Sequence, residues 1–294
     1  MGLENALSEI TLVLFTTLAP SGVVACIIVG VHLLFSRSPA DQHVLLSKFL
    51  AIPVLVALVG LVASATHLGN PSNALYVLAG VGRSPLSNEV FSGVVFFGLV
   101  GSYWFYSFSR TRRAMLERVW ISLFSVAGLV FVAGIALAYD VATIVTWHNA
   151  LVPVALVLNS LVGGPLLALG TFAAASRSAG GESLVQPGVA RACITLSFVA
   201  TVANALCYAM QAAAFSGLSN SVVTFNQLAP AYPMAMAAFA VLCLAAVAVD
   251  ALMMRRAGRV LLPDTMVAVA LSFIGIFIMR FMFYMTHMTV GLAY

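Results

Sequence analysis

The sequence predicts an all-α, polytopic integral membrane protein, an eight-transmembrane-helix bundle with both termini outside, and three observations predict it. The composition is 62% hydrophobic and 7% charged, with a mean hydropathy of +1.08. That leaves a soluble domain too little polar surface to cover itself. Eight apolar runs, at 10–35, 46–66, 90–109, 119–138, 149–175, 190–215, 231–254 and 262–290, can each cross a hydrocarbon core that needs about 20 helical residues. Eleven of the thirteen Lys and Arg residues fall in every second gap between those runs, and the positive-inside rule makes these gaps cytoplasmic.

Taken in order, the first run has no basic stretch before it and exceeds the apolar core of a cleavable signal, so it is expected to stay as span one. Glu4 and Glu9 precede it, and with an even span count Tyr294 shares their outer side. Arg37 and Lys48 flank the first gap. Spans two and three enclose the longest outer loop, 66–88, which holds Gly69, Pro71, Gly80, Gly82 and Pro85. Its apolar stretch 74–79 fits a short interfacial helix. Arg110, Arg112, Arg113 and Arg118 fill the third gap between Trp104 and Trp120, while Tyr139, Trp147 and Tyr232 mark outer boundaries, as amphipathic rings do at headgroup level. In span five, Gly163-Gly164-Pro165 permits close helix approach and a kink. Arg177 and Arg191 bracket the fifth gap, and Arg255, Arg256 and Arg259 fill the seventh. No segment outside the membrane exceeds about two dozen residues, so 1–294 reads as a single transmembrane domain with no room for a soluble catalytic unit.

Several function classes are disfavoured. The pI near 9.0 comes from basic residues spread as orientation signals, without the aromatic-interleaved stripe of a nucleic-acid binder. Cys26, Cys193, Cys207 and Cys243 stand singly in apolar runs, so neither a disulfide framework nor a zinc or iron–sulfur ligand set is readable. A secondary transporter or channel is the first rival; it lacks support from paired broken helices or an internal repeat. A b-type cytochrome subunit is the second.

Arg280 lies several residues inside span eight, where a charge costs at least a few kcal/mol unless it faces the bundle interior and finds a partner. Tyr284 and His287 follow at i+4 and i+7, so the three form one helical stripe climbing about 10 Å outward. Glu89 opens span three at a matching depth and is the expected counter-ion, within direct or one-water reach of Arg280. Asp140 lies nearer the water and Asp250 at the inner end of span seven. His67 ends span two on the outer side, where the Leu68-Gly69-Asn70-Pro71 turn fixes its direction. His148 and His43 read as interfacial residues, with His32 also on the inner side. Asn159, Ser160, Asn204, Tyr208 and Gln211 read as interhelical glue, each worth under about 2 kcal/mol. Haem ligation commonly uses paired axial histidines. No two histidines are clearly stacked at bilayer depth, which leaves His67 with His287 as the one outer pair.

These stretches carry a resemblance. His67-Leu68-Gly69 with Pro71, then Ser84 and Leu86-Ser87-Asn88-Glu89 leading to Ser92-Gly93 and Phe96-Phe97, resemble the membrane-anchor subunit of dimethyl sulfoxide reductase, the DmsC type. So do Thr146-Trp147, Gly163-Gly164-Pro165-Leu166-Leu167, and Arg280 through Phe283-Tyr284 to His287-Met288-Thr289-Val290-Gly291. Together they span most of the chain. The resemblance implies eight transmembrane helices with both termini outside, in a cell inner (cytoplasmic) membrane, and no haem. It implies menaquinol oxidation in a complex with an iron–sulfur electron-transfer subunit and a molybdopterin catalytic subunit, in anaerobic respiration. It also implies that His67 belongs to the quinol site, with Glu89 nearby. One departure is that Ser72, Asn73 and Ala74 follow the turn where the family carries basic residues, and the loop arginine is Arg83.

The reading is then of a menaquinol head held near the outer face among His67, Glu89, Arg280, Tyr284 and His287, with Arg83 above. His67 and Glu89 are expected to accept protons, and Arg280 to hold a ring oxygen or its developing charge. The chain is expected to have no haem or iron–sulfur cluster of its own and to pass electrons to a cluster docked outside.

Overall fold

The computed structural model describes residues 1–36, 38–67 and 71–290. Arg37, the Leu68-Gly69-Asn70 part of the turn after His67, and 291–294 lie outside the described residues. Helix α1 (Gly2–Ser8) leads into α2 (Ile10–Phe35), then α3 (Ala40–Phe49), α4 (Ala51–Thr66), α5 (Pro85–Tyr106) and α6 (Ala114–Ala138). The second half comprises α7 (Leu151–Ser178), α8 (Pro187–Phe215), the short α9 (Phe225–Leu228), α10 (Tyr232–Ala257) and α11 (Leu262–Met285). A 3₁₀ helix, Pro71–Gly80, occupies the stretch expected to form an interfacial helix.

Eight helical segments among the described residues are long and apolar enough to span a membrane, α3 and α4 joining as one, Ala40–Thr66. Their break at Leu50 follows from Pro53, which has no N–H to return to Phe49. The expected boundaries shift by a few residues, and three shifts have local causes. Span two begins at Ala40 rather than 46, because the helix starts just after Pro39. Span three begins at Pro85 rather than 90: the Ser84 hydroxyl caps the helix by accepting from Ser87 N, with Pro85 at its first position. Span eight stops at Met285 rather than 290. Beyond it the backbone pairs with the 143–145 loop, Val145 N donating to Met288 O (2.9 Å) and Val290 N to Thr143 O (3.0 Å).

Two helices form the centre. Of the most apolar stretch of α2, 72% is buried within the protein, and of α7, 67%, against 28–39% for the other spans. In lipid there is no hydrophobic drive between helices, so close backbone approach supplies the packing. A Cβ on Gly22 would stand 2.7 Å from Ala57 N, and one on Gly60 2.8 Å from Ala19 N, so α2 and α4 touch backbone to backbone. Across the α2–α7 seam a Cβ on Gly164 would meet Val24 Cγ1 at 2.5 Å and one on Gly163 would meet Ser21 Oγ at 2.6 Å. The glycine pair thus gives the close helix approach its sequence suggested. Gly22→Val is expected to lower stability by about 1–3 kcal/mol through overpacking against backbone that cannot yield. Thermal unfolding in detergent reads this, with Gly98→Ala, which meets nothing within 4 Å, as the unchanged control.

The basic gaps collect at one end of the bundle. The other end, called the terminal end below, gathers α1, the start of α2, the end of α4, the start of α5 and the end of α11. Gly2 sits against Leu228 O there, and Asn220 Nδ2 donates to Thr289 O (3.2 Å).

Candidate functional site at the terminal end

Arg280 sits five residues before the end of α11 and is 3% exposed. Its Nε donates to Thr16 Oγ1 of α2 at 2.9 Å. Thr16 is free to accept because its own hydroxyl proton goes to Leu12 O at 2.8 Å. Around the guanidinium stand three aromatic faces: its carbon lies 4.1 Å from the Phe283 ring centre, 5.3 Å from Tyr139 and 5.4 Å from Tyr284. Such contacts contribute roughly 0.5–2 kcal/mol each, more where water is excluded.

The aromatic wall is itself fixed. Tyr284 donates to the Tyr139 hydroxyl at 2.8 Å. Trp147 stacks on Phe283 at 4.5 Å between ring centres and donates its indole N–H to Phe283 O at 3.2 Å. Thr146 Oγ1 donates to Thr286 O. The 139–148 loop therefore clamps the end of α11 from above. Burial first, then neighbouring Tyr284 and Glu89, hold the Tyr139 phenol well above its ordinary range, with Arg280 acting the other way. It remains a neutral hydrogen-bonding group at physiological pH.

Glu89 is 5% exposed in the second turn of α5, not at its first residue. A Cβ on Gly134 of α6 would approach its Cα at 3.3 Å, so α5 and α6 are in close contact at this residue. The expected direct ion pair with Arg280 is not formed: among the described residues no carboxylate lies within 4.0 Å of the guanidinium. Tyr139 is the common neighbour, next to Arg280 and within electrostatic reach of Glu89. The physical reason is that a hydroxyl and three aromatic quadrupoles already surround the cation.

The remaining candidates divide. His67 caps the end of α4 at the rim, its Nε2 3.2 Å from Glu9 Oε2, with side chains 42% and 32% exposed. No hydrogen bond or ion pair among the described residues joins it to Glu89 or Arg280. His287 does not continue the Arg280–Tyr284 stripe, because α11 ends at Met285. It is exposed, with its ring 5.1 Å from Trp147. Arg83 is exposed in the loop that leads into α5. There Gly82 takes the left-handed backbone (φ 84°) that favours glycine, and its N–H donates to Asn88 Oδ1 at 2.7 Å.

Of the expected set, then, Arg280 and Tyr284 pack together with Tyr139 against both, Glu89 is buried in α5, and His67, His287 and Arg83 are exposed. Sequence reasoning does not single out Thr16 or Glu9. Thr16 is a short hydroxyl inside an otherwise apolar run, the kind of group that signals an interhelical partner. Tyr139 and Trp147, boundary residues by sequence, are site walls.

Comparisons with known proteins find relatives over nearly the whole sequence. Residues 3–285 match the family described as "DMSO reductase anchor subunit (DmsC)". The protein is 31% identical over 292 residues to "Anaerobic dimethyl sulfoxide reductase chain YnfH" of Escherichia coli (strain K12), covering 98% of each. It is 30% identical over 258 residues to the C subunit of anaerobic dimethyl sulfoxide reductase of the same organism, covering 87% of this sequence and 86% of that one. Among solved structures it is similar to a subunit in "The structure of bd oxidase from Geobacillus thermodenitrificans", with a TM-score of 0.62 over 98% of this protein and 87% of that subunit. At 14% identity this is a likeness of fold alone.

Proposed function

The chain belongs to the DMSO reductase anchor subunit (DmsC) family, and on that premise we propose that it oxidises menaquinol for a molybdopterin oxidoreductase complex. In this reading it spans the inner (cytoplasmic) membrane with both termini outside and passes the electrons to an iron–sulfur partner subunit. That subunit and the molybdopterin catalytic subunit dock on the terminal end, which the positive-inside rule makes the outer face. The single observation that carries the reading is Arg280: a buried cation with no carboxylate within 4.0 Å among the described residues, inside an aromatic box at the end opposite the basic loops.

Oxidation of a quinol releases two protons and two electrons, so the site must hold the head, stabilise charge as the first proton leaves, and give both protons a way out. Arg280 supplies the positive charge at a quinol oxygen, in a dry setting where such a donor acts most strongly. Phe283, Tyr284 and Trp147 supply flat faces for the ring. Glu89, buried in α5, accepts one proton; the His67–Glu9 pair at the rim takes protons onward to the outer solvent. Menaquinol is substrate, and in this reading the chain holds neither haem nor iron–sulfur cluster. Among the described residues no three His, Cys, Asp or Glu side chains come together as a metal site. His32, buried in α2, is engaged with Leu184 O at 3.2 Å. Tyr76, Val222 and Val290 stand out at the terminal end beyond the spans, 75%, 70% and 50% exposed, apolar surface of the kind a partner covers.

The test is quinol-dependent reduction of the partner's clusters in membranes. His67→Ala is expected to slow it about tenfold, less than a buried proton acceptor would, because water reaches this half-exposed pair and partly replaces it. Glu9→Gln is expected to fall in the same range. Unchanged rates in both would remove the rim pair from the proton path.

A further inference from the structure

Arg280 has a second, unused donor. Its Nη2 is buried and finds no acceptor among the described residues, although the side chain is almost wholly removed from solvent, at 3% exposure. A buried guanidinium N–H without a partner is costly, and the side chain borders a small cavity of about 10 Å³ between α7, α8, α10 and α11. Tyr208, Gln211, Tyr232 and Thr286 also line it.

Those polar groups belong to one network. Asn204, Tyr208 and Gln211 fall at i, i+4 and i+7 on the inward face of α8. Asn204 Nδ2 donates to Asn159 Oδ1 at 2.8 Å, and Asn159 Nδ2 to Tyr208 OH at 2.8 Å. Tyr232 OH donates to Gln211 Oε1 at 3.0 Å, and Gln211 Nε2 to Leu151 O at 2.9 Å. Each of the three side-chain oxygens of these lining residues, Tyr208 OH, Gln211 Oε1 and Tyr232 OH, keeps a lone pair for a further donor. A volume of about 10–15 Å³ holds one water, provided two to four polar partners surround it.

We propose that a single bound water joins Arg280 Nη2 to the Tyr208–Gln211–Tyr232 set. The water accepts from Nη2 and donates to two of those oxygens. Thr16 then fixes the guanidinium through Nε and the water fixes it through Nη2, so that its plane is set and its remaining N–H groups are aimed at the quinol oxygen. Tyr208, Gln211 and Tyr232 become positioning residues, acting through Arg280 on a substrate they do not touch. The inference rests on the quinol reading given above and adds residues from α8 and α10 that the sequence presented as interhelical glue or boundary markers.

The experiment is a cryo-EM map of the detergent-solubilised complex, at a resolution that resolves waters, combined with quinol titrations of Gln211→Leu and Tyr232→Phe. Density for one water within about 3 Å of Arg280 Nη2 and of two of the three oxygens is expected. Because any two of the three oxygens include that of Gln211 or of Tyr232, at least one of the variants is expected to raise KM for a soluble menaquinol analogue by about tenfold with kcat changed less, the effect of one lost neutral hydrogen bond. Gln211→Glu, which keeps an acceptor, is expected to restore the wild-type KM. A dry cavity, or an unchanged KM in both variants while Arg280→Gln abolishes turnover, overturns this inference and leaves the quinol site standing. Full activity in Arg280→Gln as well overturns the quinol site itself.

Discussion

Arg280→Gln is expected to lower quinol-dependent reduction of the partner subunit by roughly 10²–10³-fold, the loss typical of removing a preorganised donor from a developing oxyanion. The same substitution is expected to leave stability unchanged or raise it. A buried guanidinium with no carboxylate beside it among the described residues carries a desolvation penalty that one Thr16 hydroxyl and three aromatic faces only partly offset. Function and stability thus move in opposite directions, as they do where a protein retains an unfavourable group for its chemistry. A purely structural arginine, locking α11 to α2, makes the contrary expectation: the variant would unfold at lower temperature while assembled protein kept its turnover. Measuring both quantities on the same membranes separates the two.

Glu89→Gln is expected to slow quinol oxidation by about 10²-fold or more, within the range for loss of a positioned proton acceptor. The amide keeps the shape and the hydrogen-bonding capacity but cannot take a proton, so the α5–α6 seam at Gly134 stays closed. Electrons delivered to the soluble subunits by a small-molecule reductant bypass this step and should give an unchanged rate. Loss of both rates would mean failed assembly, and loss of neither would exclude Glu89 from the proton path.

Much of this fold was legible in the chain because two signals are additive along a sequence: apolar length and the side on which arginines accumulate. Span ends were less legible, since they depend on single residues, such as Ser84 capping α5 or the 143–145 loop drawing the backbone away after Met285. The site divided in the same way. Arg280 stood out as a charge in an apolar run, and Tyr284 followed from helical spacing. The partner of Arg280 did not follow, because formal charges can be counted in a sequence while aromatic faces and a threonine hydroxyl from another helix cannot. His287 was carried onto the stripe by a periodicity that outlived its helix. The pairing of His67 with Glu9 needed the start of α2 to lie beside the end of α4, a contact between two helices that no local pattern encodes.

The most direct measurement is a structure of the whole complex with a menaquinol analogue bound. The head is expected at the terminal end, with one ring oxygen within hydrogen-bond reach of Arg280 and the ring against Phe283, Tyr284 or Trp147. A head found instead at the opposite, basic end of the bundle, beside Arg112 and His43, would contradict it.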